Sequence, residues 1–158
     1  GRFYFSVPVW LRFLASREGK DQVVHEEPTD MLSNTWFGDP SAGELCYALD
    51  DPLLRSYETM ETSQLEAVCP LIVKNGSAEP LNFERICVHA EFLNLYRGDR
   101  ALWTNEVTVQ FKGADHASQV SMSPKTPSGT TLITGRRLAA NRSFIRKSFN
   151  LLRQVTGM

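Results

Sequence analysis

LNFERICVHAEFLNLY, residues 81–96, alternates over much of its length: Ile86, Val88, Ala90 and Phe92 fall on one face and Cys87, His89, Glu91 and Leu93 on the other. Period two with β-branched and aromatic enrichment is the signature of a strand. The run is apolar on both faces from Cys87 to Leu95, so a central strand paired on both sides is expected, with a bulge or bend to account for its length. Arg97-Gly98-Asp99-Arg100 follows as a polar turn. Glu106–Phe111 then alternates again, with Val107, Val109 and Phe111 inward, which predicts a hairpin.

Working outward, Leu65–Lys74 is a further strand. Pro70 within it cannot donate a ladder hydrogen bond and argues for an edge or a bulge. Asn75–Pro80 is a loop. Phe3–Leu14, Thr35–Phe37 and Leu45–Leu49 are strands, the last two divided by the Gly38-Asp39-Pro40-Ser41-Ala42-Gly43 turn. Gln119–Met122 and Thr130–Thr134 are late strands separated by a Pro/Ser/Thr loop. Glu18–Asp30 is polar and acidic and reads as a solvated loop; Asp50–Glu61 is expected to hold a short helix opening at Asp51, with Pro52 at the first helical position. Many short strands between turn signals give an all-β fold, an antiparallel β-sandwich over residues 1–134.

The end of the chain has another period. Leu138, Ile145, Phe149 and Leu152 stack at helical spacing, widened by Phe144, Leu151 and Val155. Arg142, Arg146 and Arg153 line one flank and Lys147 the back. Residues 135–158 are therefore expected to form a basic amphipathic α-helix, packed on the body or extending from it. From Arg136 to Met158 there are six cations and no carboxylate; with 17 Lys+Arg against 18 Asp+Glu in all, the remainder holds 11 basic and 18 acidic groups. A formal charge of −1 thus conceals an acidic body joined to a cationic tail.

The turn Phe37-Gly38-Asp39-Pro40, the following Gly43-Glu44-Leu45-Cys46-Tyr47 strand, the Asn75 turn and the Phe83–Tyr96 strand together resemble the C-terminal portion of an archaeal and bacterial family of unknown function, designated four-three-two. The likeness spans roughly Phe3 to Phe111. It implies an all-β fold, a prokaryotic source and a part missing upstream. It implies no activity and no site residues.

At 158 residues, 42% hydrophobic and 22% charged, the chain fits one domain with a sizeable core. No apolar run approaches the roughly 18 residues of a membrane-spanning helix. The first residue is Gly rather than Met, which points to a piece of a longer protein. Cys46, Cys69 and Cys87 have no metal-ligand spacing and lie in apolar stretches, so buried thiols in a reducing, cytoplasmic setting are expected.

The candidate chemistry is sparse. Asp39, Glu44, Asp50 and Asp51 lack the pattern of a calcium loop, and no metal or cofactor is expected. His89 stands beside Glu91 at i, i+2, and Cys87 shares that face. A Cys–His pair at this strand spacing is about 7 Å apart, too far for a nucleophile–base hydrogen bond without a bulge. His25 and His116 sit in loops. Arg97-Gly98-Asp99 is turn chemistry, and no nucleotide-binding loop is present. Trp10, Trp36 and Trp103 with Tyr47, Tyr57 and Tyr96 could stack on a sugar, but large aromatics scattered over strands mostly fill cores.

These readings predict a non-enzymatic interaction or accessory module whose docking element is the basic helix. Arg142, Arg146, Lys147 and Arg153 would meet an acidic protein or an anionic membrane surface. Nucleic acid is not expected, because the acidic body repels phosphate. The alternative is a small-molecule or carbohydrate-binding sandwich with its site in the loops; an enzyme using His89 or Cys87 ranks third.

Overall fold

The computed structural model describes residues 1–30, 35–37, 40–41, 44–46, 53–61, 63–81, 86, 88–113 and 118–138. Their organising element is the ten-residue strand β6 (Glu66–Asn75), with Ala67, Cys69, Leu71 and Val73 buried on one face and Val68 and Pro70 on the other. A strand apolar on both faces is stable only when covered on both. Strand β1 (Arg2–Pro8) pairs with it antiparallel along one side, from Arg2 opposite Ile72 to Pro8 opposite Glu66.

Along the other side run β8 (Leu102–Thr104) and β9 (Val107–Phe111), both parallel to β6. Beyond them lie β7 (Leu95–Arg97), antiparallel to β8, and β10 (Gln119–Met122), antiparallel to β9. Strand β11 (Thr131–Thr134) closes the outer edge against β7. The seven strands form one mixed sheet curled into a half-barrel. Two further ribbons stand apart from it, β2 (Trp10–Arg17) with β3 (Lys20–Pro28) and β4 (Thr35–Phe37) with β5 (Glu44–Cys46).

Pro70 sits in the middle of this central strand, and the register explains how. Tyr4 directs its N–H and C=O to Leu54, away from β6, so the Tyr4–Pro70 pair needs no ladder bond. The proline nitrogen therefore faces the β8–β9 side. There the pairing steps from Val68 opposite Trp103 to Leu71 opposite Val107, with one residue more on the partner than on β6. The missing donor coincides with a bulge.

The antiparallel sandwich is corrected by these pairings: the core is one face of a single mixed sheet. The Leu81–Tyr96 strand is corrected as well. Among the described residues of that run only Leu95 and Tyr96 belong to a strand, and Ala90–Phe92 is a 3-10 turn. Within it Phe92 N–H donates to the His89 carbonyl (3.2 Å) and Leu93 N–H to that of Ala90 (3.0 Å), which occupies groups a ladder would need. The alternation recorded burial rather than pairing. Leu93 is part of the buried core cluster and Leu81, Ile86 and Val88 pack against it, so these residues cover the face a second sheet would have covered.

Among the described residues there is no α-helix, and the only helical turns are Tyr57–Thr59 and Ala90–Phe92. The expected C-terminal amphipathic helix is not borne out where it can be followed. Leu138, the first residue of its apolar stripe, lies in a bend and is exposed. Residues 139–158, which hold the rest of the stripe, lie outside the described residues. The short helix expected over Asp50–Glu61 is reduced to the turn at Tyr57, capped by the Ser56 hydroxyl accepting from Glu58 N–H.

Other expectations hold. Thr35–Phe37 pairs with Glu44–Cys46 across the Gly38–Gly43 segment, and Arg97–Arg100 is a turn, but the hairpin it makes is corrected: β7 pairs with β8, whereas the expected partner, Glu106–Phe111, pairs with β6 and β10. Gly98 is required there: a Cβ would lie 2.8 Å from the Trp103 indole nitrogen. Cys69 is a free, buried thiol beside Thr104; burial pushes its pKa up to about 12, so it is held neutral.

Leu71, fully buried against Val107, should be the costliest residue of β6 to truncate. Leu71→Ala is expected to destabilise the fold by about 2–5 kcal/mol, whereas Thr131→Ala on the exposed β11 should stay within about 0.5 kcal/mol. Urea midpoints at equal m-value check both. In a Cys46→Ser, Cys87→Ser background, Cys69 should resist thiol reagents at pH 8 until the protein is unfolded.

Candidate functional site

The β2–β3 ribbon rises from the body at Val9 and returns at Thr29. Thr29 N–H and its hydroxyl both donate to the Val9 carbonyl (3.0 and 2.9 Å), and the hydroxyl also reaches that of Leu65 (2.6 Å). The tip turns at Glu18-Gly19, both with positive φ (56° and 74°), the conformation of a two-residue hairpin turn. Cross-strand pairs brace its length: Arg12 to Glu26 (2.6 Å), Ser16 to Asp21 (2.8 Å) and the Phe13 ring beside His25 (5.7 Å).

What the ribbon leaves in water is unusual. Leu11 (46%), Phe13 (47%), Leu14 (53%), Val23 (43%) and Val24 (62%) are all exposed. Leu11 and Phe13 lie on one face of β2 and Leu14 on the other, so the apolar surface wraps both sides. Val24 is the extra residue of a β-bulge, since Phe13 pairs with His25 and Leu14 with Val23.

A polar latch holds the base. The Arg137 guanidinium lies 4.0 Å over the Trp10 ring and bonds Glu26 Oε2 at 3.2 Å. Arg12 and Arg137 together outweigh desolvation and hold the Glu26 carboxyl below its ordinary pKa. The neighbouring backbone is tied to the crossover: Arg136 N–H donates to Asn94 Oδ1 (2.9 Å) and Leu138 N–H to the Glu91 carbonyl (3.0 Å). His89 Nδ1 lies 3.2 Å from Glu91 Oε1. Burial raises the Glu91 pKa, but the His89 bond, a backbone bond and the Arg137 charge lower it further, for a net depression.

The pairing of His89 with Glu91, expected from their spacing, is therefore present, though on a 3-10 turn rather than a strand. His25 is not in a loop; it sits on β3, 3.5 Å from Glu27. Arg142, Arg146, Lys147 and Arg153 lie outside the described residues, as do Cys87, His116, Tyr47, Asp39, Asp50 and Asp51. Among the described residues no group of three or more His, Cys, Asp or Glu could hold a metal. No helix among them is long and apolar enough to cross a membrane.

The aromatic residues do not share one platform. Trp10 is covered by Arg137, Tyr96 is buried, and Tyr57 packs edge-on between Tyr4 (5.6 Å) and Trp103 (4.9 Å) on the sheet face opposite the core. The loop expected over Glu18–Asp30 is corrected to a turn and the strand Lys20–Pro28, whose exposed, polar residues carry little alternation. The ribbon's one signal is Gly19 between two runs carrying Leu11, Phe13, Val23 and Val24.

The latch yields a pH prediction. A carboxyl with a depressed folded pKa contributes stability that is present above its ordinary value, 4.5, and is lost as pH falls through the lower folded value. Glu91→Gln should therefore lower the melting temperature at pH 7 and converge with the parent below pH 4.5, as melts across the acid range would reveal. Arg137→Ala should red-shift Trp10 emission and cost about 1 kcal/mol, the scale of a part-exposed cation–π contact.

Neither a curated protein nor a solved structure matches the chain. One family model does, over residues 1–153, a longer span than the Phe3–Phe111 resemblance. On that match the chain belongs to the family described as protein of unknown function (DUF432).

Proposed function

We propose that the chain is a non-enzymatic interaction module that takes hold of a protein partner through the β2–β3 ribbon. The observation carrying this reading is the set of five exposed aliphatic and aromatic side chains on an element that contributes nothing to the core. The cationic stretch beyond Leu138 is its second arm: Arg142, Arg146, Lys147 and Arg153 meet acidic groups of the partner. A protein fits the ribbon better than a bilayer does. The tip, Arg17-Glu18-Gly19-Lys20-Asp21, is charged, and entering hydrocarbon tip-first would strip those charges of water. A neutral buried thiol at Cys69 fits a reducing, cytoplasmic setting.

Carbohydrate binding has less support, since Trp10, Tyr57 and Trp103 are each engaged by a neighbouring side chain.

A photo-reactive phenylalanine analogue at Val24 in living cells tests the ribbon. A single discrete adduct is expected, with none from the same analogue at Thr131; no adduct from any ribbon position would sink the reading. For the second arm, Arg142→Glu, Arg146→Glu and Arg153→Glu combined should abolish salt-sensitive binding to polyglutamate. Phosphatidylserine vesicles that bind where polyglutamate does not would reassign it to anionic lipid, at about 1 kcal/mol per cation.

A further inference from the structure

Among the described residues β4, β5 and β10 are edges of only three, three and four residues, and three further edges are protected. β3 carries the bulge at Val24 and ends in Pro28. β11 carries an irregularity at Ile133, where its register jumps from Leu132 opposite Tyr96 to Thr134 opposite Leu95. The outer side of β1 is bridged by Leu54, which exchanges two backbone bonds with Tyr4 (2.8 and 2.9 Å). Bulges, prolines and covering segments are the ordinary ways in which an edge is kept from pairing with another chain. β2 has none of them. It is eight residues long, free of proline, and regular; the extra residue of the ribbon's bulge lies on its partner. No backbone hydrogen bond other than those of the β2–β3 ladder reaches Leu11–Arg17 among the described residues.

A charged side chain is the remaining defence of an edge. β2 has Arg12 and Arg17, but Arg12 is already neutralised by Glu26 across the ribbon at 2.6 Å. The edge can therefore take a strand without stranding that charge.

The pattern along β2 fits a second copy of itself. Two identical antiparallel strands related by a two-fold axis set residues opposite one another only when both lie on the same face. Centred on Phe13, this places Phe13 opposite the partner's Phe13, Leu11 opposite the partner's Ala15 and Arg12 opposite the partner's Leu14. Apolar groups meet on the Leu11–Phe13 face and no two cations meet. Centring on Arg12 sets two guanidinium groups against each other, and centring on Leu14 sets Leu11 against Arg17. Phe13 is the centre that the sequence favours.

We infer that two copies of the chain pair through the free edge of β2, in antiparallel register about Phe13, to make one four-stranded sheet from two ribbons. This rests on the reading of the ribbon as a protein-docking element and names its occupant. An interface confined to two ribbons falls at the small end of specific contacts, below about 1,200 Å² in total. The dimer should accordingly dissociate in roughly the micromolar range.

Sedimentation equilibrium of the full chain over a concentration series tests this, joined to two substitutions at an exposed residue outside the core. Phe13→Lys sets two cations on the dyad and should weaken association at least tenfold while leaving the melting temperature unchanged. Phe13→Cys, in a background lacking Cys46 and Cys87, should oxidise to a disulfide-linked dimer, because antiparallel partners stand about 4.5–5.5 Å apart at Cα, within disulfide reach. Leu11→Cys and Ala15→Cys chains should cross-link to each other and much less to themselves. A parent chain that stays monomeric, a Phe13→Lys variant that still dimerises, or cross-linking without this register would each overturn the inference. The Val24 adduct separates the two readings: a product of twice the chain mass supports both, whereas an adduct with a different protein keeps the docking role and removes self-pairing.

Discussion

Everything in this molecule leans on β6 being satisfied on four sides at once. Its odd-numbered residues from Ala67 to Val73 fill the core, while Val68 and Pro70 are buried behind it. Each large side chain taken from water contributes on the order of 1.5–3 kcal/mol. Its backbone is shared between β1 and the β8–β9 pair. Parallel pairing brings a topological demand, because a strand cannot return beside its predecessor in the same direction through a tight turn. The chain meets it with the crossover from Gly76 to Asn94, and that crossover is apolar because it roofs the core it bypasses. Strand, crossover and roof are therefore consequences of one pairing choice.

That coupling also explains what was legible in the sequence. Strands with one buried and one wet face announce themselves by alternation, and β9, with Val107, Val109 and Phe111 buried, lies within the expected Glu106–Phe111. β6, apolar on both faces, and β10 and β11, bounded by turn residues, are legible from residue type and punctuation instead. The roof carries a similar alternation for another reason: Ile86 and Val88 touch the core from an irregular backbone. A pattern of burial does not say whether the hydrogen bonds go to a neighbouring strand or into a local turn. Nor does it distinguish parallel from antiparallel partners, and the sandwich expectation failed there. The helical period beyond Leu138 is a pattern of the same kind; at Leu138 itself, bent and exposed, it does not correspond to a helix.

The candidate site was less legible because its members come from distant parts of the chain. Arg137 reaches Glu26 across 111 residues, and nothing local to either marks the contact. Composition had grouped Arg137 with the cationic tail. Its guanidinium is instead spent on Trp10 and Glu26, so part of the charge asymmetry is used inside the fold. The pair His89–Glu91 was visible because its spacing is two residues. The ribbon was hidden for the opposite reason: β3 is solvated on both faces, and a strand with no buried face has no alternation to detect.

A two-stranded ribbon is marginal in water by itself, so the order of β2–β3 has to come from its ends and its cross-strand pairs. The Thr29 hydroxyl, bonded at once to Val9 and Leu65, fixes the two strands where they leave the body. The Arg137–Trp10 contact adds a second restraint on the same base, and the charged tip keeps the far end in water. Between them Leu11, Phe13, Leu14, Val23 and Val24 stand exposed. A fold that guards β3 and β11 with irregular residues, bridges β1 with Leu54 and leaves the eight-residue β2 regular treats that edge differently from those three. The base sets the direction in which the edge is offered, and the unbroken register of β2 sets the kind of surface, an extended strand, that it can accept.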